Sequence, residues 1–220
     1  MIENRVKHPL IRFSILKEGW VARANLSAVG LFGSYLSFQF IVTMYLQSVL
    51  GWTPLGMALA LLPAGLLVAT SAPFADRLIE KFGGATQLIL TGLTALGLGY
   101  VLFLRVGTTP NYVLDILPSV VLLGIGFALA FPSINVQATA GIKDSEQGLA
   151  AGLIQTSTQV GAALVLAVTT ALVSGHGQAA GTVSAQAMLE QYRPGLILSA
   201  AVAIAALLVA AAPSRRRVRS

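Results

Sequence analysis

The chain has 220 residues, no cysteine and only two histidines, and 10% of it is charged. The lack of cysteine excludes disulfides, thiol catalysis and thiolate-ligated metals, and leaves the redox compartment undetermined. His8 and His176 both lie outside the long apolar runs. They leave no His-Glu-x-x-His metal site and no histidine base for a serine nucleophile within the membrane. No enzyme activity, metal or cofactor is therefore expected. Charge is absent from the whole stretch between Arg23 and Asp76, and from the middle of every later apolar run. An ion-coupled pump normally carries an ionisable group at membrane depth, and this chain by itself shows none.

What the chain has in abundance is apolar surface. Hydrophobic residues make up 55% of it, and the mean hydropathy is +0.79. Soluble domains carry about 25% charged residues. A chain this apolar cannot cover itself with polar groups, so its solvent is the lipid bilayer. The net charge of +6 does not point to nucleic acid. Most lysines and arginines sit at the two chain ends, and no basic and aromatic platform interrupts the apolar runs.

Six segments are long enough to span, at about 24–49, 55–75, 84–104, 116–139, 148–173 and 195–212. Each is near the roughly 20 residues that a hydrocarbon core of about 30 Å requires. The first two are divided by Gly51–Pro54, a Gly and Pro turn with an interfacial tryptophan. An even number of crossings puts both ends on one side, together with twelve lysines and arginines against Arg105 and Arg193 on the other. The positive-inside rule makes that side cytoplasmic. The expected organisation is all-α and polytopic. Residues 1–23 form a cytoplasmic, interfacial linker rather than a signal peptide, 24–212 a six-helix transmembrane domain, and 213–220 a basic cytoplasmic tail.

Polarity differs among the segments. The third and sixth are nearly free of polar side chains and suit a peripheral, lipid-facing place. The first carries Tyr35, Gln39, Thr43 and Gln47 at a strict four-residue spacing, which makes one stripe. The fourth carries Asn135 and Gln137 after a proline, and the fifth carries Gln155 and Gln159 on one face. Polar groups at this depth face other helices or a water-filled cavity. A single such residue is compatible with either; the regularity of the Tyr35 stripe favours a cavity wall. The Gly148–Gly152 G-x-x-x-G, continued by Gly161, predicts close helix packing.

One polar cluster is out of keeping with the rest. Asp76, Arg77, Glu80 and Lys81 fall within PFADRLIEKFGG, and their i,i+4 pairs are of like charge. Their partners are expected elsewhere than along their own helix.

Three stretches, in order, resemble the C-terminal six-helix half of a major facilitator superfamily transporter, closest to the fourteen-helix drug:proton antiporter branch. They are MYLQSVLGWTPLGMALALLPAG, with its L-Q-x-x-x-G-x-[ST]-P pattern, GIGFALAFPSINVQATAGI, and QGLAAGLIQTSTQVGAALVLAV. The resemblance covers the chain from about residue 8 onward. The charged cluster lies where that family has a cytoplasmic G-x-L-a-D-R-x-G-R loop. The better of two registers sets Leu78, Glu80, Lys81 and Gly83 on the motif, with Asp76 and Arg77 as extra charges.

The resemblance implies two three-helix repeats, with the first and fourth segments lining a central cavity and the second and fifth facing the other half. It implies a proton-coupled exporter of multiple drugs or other small molecules in the cell (inner) membrane, working by alternating access. Tyr35, Gln39, Thr43 and Asn135 would line the substrate cavity, and Gln155 and Gln159 would lie at the seam between halves. The partners implied are the bilayer, a small-molecule substrate and a missing N-terminal half that holds the family's coupling residues. The alternative is a non-transporting membrane remnant, or an interaction partner of an intact transporter.

Overall fold

A computed structural model describes residues 19–140, 142, 144–174 and 184–212. The linker before residue 19, the tail after residue 212, Lys143 and both histidines lie outside the described residues. Seven helices make up the described chain: α1 (Gly19–Met44), α2 (Pro54–Ser71), α3 (Ala75–Lys81), α4 (Ala85–Phe103), α5 (Leu117–Thr139), α6 (Asp144–Ser174) and α7 (Ala185–Ala211). They fall into six stretches long and apolar enough to cross a membrane, the second of which, Pro54–Lys81, takes in both α2 and the short α3. Among the described residues there is no β-strand.

Helix ends follow from local chemistry. α1 closes in a widened turn, Tyr45–Val49, and Gly51 then takes a left-handed φ of 68° that only glycine adopts without strain. Thr53 caps α2 by accepting the Gly56 N–H at 3.2 Å, and Pro54 occupies the first helical position, where its missing N–H costs nothing. The L-Q-x-x-x-G-x-[ST]-P pattern is thus a helix stop, a left-handed corner and a helix start, in that order. Ser184 caps α7 in the same way through the Ala187 N–H at 3.2 Å. That helix begins ten residues before the expected 195, and it carries Glu190, Arg193 and Pro194 in its first three turns. Charges there sit near the bilayer surface, where a helix tolerates them.

The core lies between α1, α4, α5 and α7. Phe38 of α1 packs its ring 4.7 Å from Tyr100 and 5.1 Å from Phe103 of α4, centroid to centroid. α4 and α5 make the most extensive contact in the molecule. A methyl group added at Gly126 would lie 2.7 Å from the Gly92 carbonyl oxygen, so these two backbones touch through paired glycines. The third segment is therefore not peripheral as its composition suggests. Over half of it is buried, whereas few residues of α2 or α6 are fully buried, α2 being half-buried along the side that meets α5. Apolar composition cannot separate a lipid-facing helix from one enclosed by its neighbours, because neither environment offers polar partners.

α1 packs chiefly against α6 and α7. A polar clasp crosses the first of these contacts. The Ser157 hydroxyl donates to Asn25 Oδ1 at 2.6 Å, while Asn25 Nδ2 donates to the Val21 carbonyl at 2.9 Å. The Arg23 guanidinium donates to the Ala212 carbonyl, which brings the start of α1 and the end of α7 to the same end of the bundle.

Candidate functional site

The polar stripe of α1 ends up on a half-buried face that meets α5 through aromatic rings. Phe32 lies 5.3 Å from both Phe127 and Phe131, edge on, and Tyr35 lies 4.8 Å from Phe127. Edge-to-face and tilted contacts at these distances add about 0.5–1.5 kcal/mol per pair beyond their burial. Beside this cluster, a shallow cavity of about 250 Å³ lies among α1, α2 and α5. Tyr35 and Phe127 wall one side, with Ala64, Gly65 and Ala69 of α2 and Leu123 of α5 completing most of the lining.

Of the residues expected to line a substrate cavity, Tyr35 alone reaches this space. Gln39 lies one turn further along α1, half-buried, with its side chain making no hydrogen bond among the described residues. The Thr43 hydroxyl turns back on its own helix and donates to the Gln39 carbonyl at 2.8 Å. Asn135 does likewise, donating through Nδ2 to the Phe131 carbonyl at 2.9 Å. Gln47 donates to the Met57 sulfur at 3.7 Å across the α1–α2 corner. The other aromatic members of the cluster, Phe32, Phe127 and Phe131, are apolar and carried no polarity signal. A clue lay in Phe127 and Phe131 standing four apart on α5, one helical turn.

Gln155 and Gln159 are both exposed on α6, on the side away from the rest of the chain, while Ser157 between them faces α1. Gly148 and Gly152 are exposed too, with no atom within 4 Å of where a side chain would begin. The close packing expected of that G-x-x-x-G is not made within this chain. It occurs further along at Gly161, where an added methyl would meet the Val29 backbone at 2.6 Å. The α1 surface opposite happens to fit Gly161 and not Gly152, a property of the partner helix that no spacing on α6 reveals.

Asp76, Arg77, Glu80 and Lys81 stand exposed on α3, and among the described residues they form no ion pair. α3 stops in a tight C-terminal turn. The Gly83 N–H donates to the Glu80 carbonyl at 3.4 Å and the Gly84 N–H to the Ile79 carbonyl at 2.8 Å, with Gly83 at φ 81°. This is the Schellman arrangement, and it needs glycine at the left-handed position. Glycine at position 83 therefore has a backbone reason in this chain.

No group of three or more acidic or histidine side chains that could hold a metal occurs among the described residues. Residues 3–166 match the sequence model of the Major Facilitator Superfamily, which is most of the chain. The chain belongs to the Major Facilitator Superfamily. That family is one of multi-pass membrane transporters rather than enzymes. Its curated relatives include the puromycin resistance protein pur8 of Streptomyces alboniger, 30% identical over 92% of this chain and 43% of that protein. The multidrug resistance protein B homolog of Mycobacterium tuberculosis is 29% identical over 77% of this chain and 32% of its own length. The tetracenomycin C resistance and export protein of Streptomyces glaucescens is 28% identical, over 76% and 30% respectively. The chain spans less than half the length of these relatives.

Proposed function

We propose that this superfamily chain is the C-terminal half of a secondary-active exporter of drugs or other small molecules, and that it forms one wall of an alternating-access cavity. The observation that carries the reading is the unequal covering of the six spans. The outer sides of α2 and α6 are left bare, while the third segment is enclosed. Those bare faces carry Gly148, Gly152, Gln155 and Gln159, polar and small groups that lipid does not satisfy. A second set of six helices seated there would bury them and would place the α1–α5 aromatic wall against a central space. The resistance and export functions of the relatives support the same direction of transport.

On this reading, proton coupling comes from the other half, because no acidic side chain lines the cavity described here. The end of the bundle that holds the start of α1 and the end of α7 faces the cytoplasm, on the inner side of the cell membrane, where the exposed basic residues of α3 also sit. Gln39, Thr43 and Asn135 join Tyr35 along the cavity once the helices tilt between inward and outward states.

The test is efflux of a cationic dye from cells expressing the chain alone, the chain with a matching N-terminal six- or eight-helix half, or neither. Gradient-dependent efflux only when both halves are present is the expected result. Strong gradient-driven efflux by the chain alone refutes the half-exporter reading. No efflux with any matched half favours the alternative of a non-transporting partner.

A further inference from the structure

Arg77 and Lys81 are charges for which the exporter reading supplies no use. They stand four residues apart on α3 and so share one row of the helix. Asp76 and Glu80 form a second row, about 100° round from the first. Phe74, Leu78 and Phe82 form a third, again at four-residue spacing, on the other side of the basic row. The basic row thus lies between the acidic and the apolar ones. Ala75, Leu78 and Ile79 are half-buried where α3 meets α4 and α5. Phe74 and Phe82, the capping residues at the two ends of α3, remain 51% and 49% exposed. Neither Arg77 nor Lys81 pairs with a carboxylate among the described residues.

We propose that the basic row of α3 docks the headgroup phosphate of an anionic phospholipid, with Phe74 and Phe82 set at the acyl boundary beside it. Exposed rings next to unpaired cations restrict the choice of occupant. A free anion would use the two charges and leave both rings in water. An anionic lipid uses all four side chains, its phosphate meeting the cations and its chains the rings. The acidic row faces away from the apolar one and so lies clear of the acyl chains. The site is also held in place. α3 connects α2 to α4, its inner residues rest on α4 and α5, and its last turn is closed by the Gly84 N–H on the Ile79 carbonyl at 2.8 Å. The site goes beyond the exporter reading and does not depend on it.

The experiment uses the purified full chain in phosphatidylcholine nanodiscs that carry a trace of photoactivatable phosphatidylglycerol, phosphatidylethanolamine or phosphatidylcholine, followed by peptic mapping. The phosphatidylglycerol probe is expected to label residues 73–84 in preference to the other two, and unlabelled phosphatidylglycerol should compete. Each basic residue near an anionic surface is worth a factor of about five, so Arg77→Gln with Lys81→Gln should lower that labelling about 25-fold. Arg77→Lys with Lys81→Arg keeps both charges and should retain it. Asp76→Asn with Glu80→Gln should leave it unchanged or raise it. Labelling of the basic segment 213–220 is the internal reference and should be the same in every variant. Circular dichroism through an SDS titration checks that the variants fold, as expected for exposed positions. Equal labelling by the zwitterionic probes overturns the proposal. So does phosphatidylglycerol labelling that is indifferent to the loss of both cations, or lowered as much by the loss of both carboxylates. Displacement of the lipid by inorganic phosphate at constant ionic strength would show that the row takes the anion alone, and overturns it too.

Discussion

Replacing Gly126 by alanine adds one methyl group where α4 and α5 touch. That methyl would sit 2.7 Å from the Gly92 carbonyl oxygen, 2.9 Å from the Leu96 nitrogen and 2.6 Å from Leu96 Cγ. Two of the three are backbone or backbone-attached atoms of a packed helix, so no flexible side-chain tip can yield to make room. Restoring an ordinary contact of about 3.4 Å to the carbonyl requires the helices to part locally by roughly 0.7 Å. A gap of that size forfeits about a quarter to a half of the dispersion energy of each contact it opens. Overpacking of this kind costs about 1–3 kcal/mol. Alanine returns up to about 1 kcal/mol through its helix propensity, for a net loss of about 0–2 kcal/mol and a deficit of about 1–3 kcal/mol against an alanine placed where there is room. The measurement is reversible unfolding of the purified chain in mixed micelles titrated with SDS, followed by circular dichroism and by fluorescence of Trp20 and Trp52. Gly152→Ala is the matched control, because a methyl there meets nothing within 4 Å. It should leave the isolated chain unchanged or stabilise it by up to about 1 kcal/mol. Gly126→Ala as stable as Gly152→Ala, or more so, would refute the packing described.

Ser157→Ala removes the donor to Asn25 and should cost about 0.6 kcal/mol, with about 1.7 as the upper limit for such a bond in a membrane, read in the same titration. Gly83→Ala forces a side chain into the left-handed region and should destabilise the α3–α4 turn by about 1–2 kcal/mol. It is visible as faster local hydrogen exchange and protease nicking at residues 81–85, with the spans unaffected. Gln39→Leu in an assembled exporter should alter the substrate profile without lowering the amount of protein in the membrane. Unchanged efflux of every substrate removes Gln39 from the cavity.

Hydropathy alone located all six spans, and most of their ends fell within a few residues, because the cost of burying polar backbone in lipid leaves few alternatives. The exception is the start of α7. Glu190, Arg193 and Pro194 read as loop residues, yet a capped helix runs through all three. The candidate cavity was legible only where a polar residue marked it, and so Tyr35 was found while Gly65 and Phe127 were not. Polar residues such as Thr43 and Asn135 can satisfy themselves on the preceding turn of their own helix. Their presence in a span therefore carries little information on where they face. Asn25 was overlooked for a related reason, lying close to the basic flank at the edge of its span, where polarity is unremarkable. Which glycine makes a close contact depends on the opposing helix, and spacing along one helix holds no record of that.

The packing of α1 has a consequence for how the chain is made. Its main neighbours are α6 and α7, while α4 and α5 find each other as successive spans. During synthesis α1 enters the bilayer before α6 and α7, and must wait through the insertion of α2, α4 and α5 for the surfaces that cover most of it. Its seat against α7 is close enough that a methyl at Gly30 would collide with Ala206, so no other span of this chain can serve as a stand-in. Until α7 is inserted, Gly30 and Ile41 remain open to lipid or to any insertion factor that shields nascent spans, whereas Ser34 and Phe38 are already met by Tyr100 of α4. Of the spans described, the earliest in chain order is the last to be finished, and a ribosome stalled before residue 185 would leave its α7-facing side uncovered.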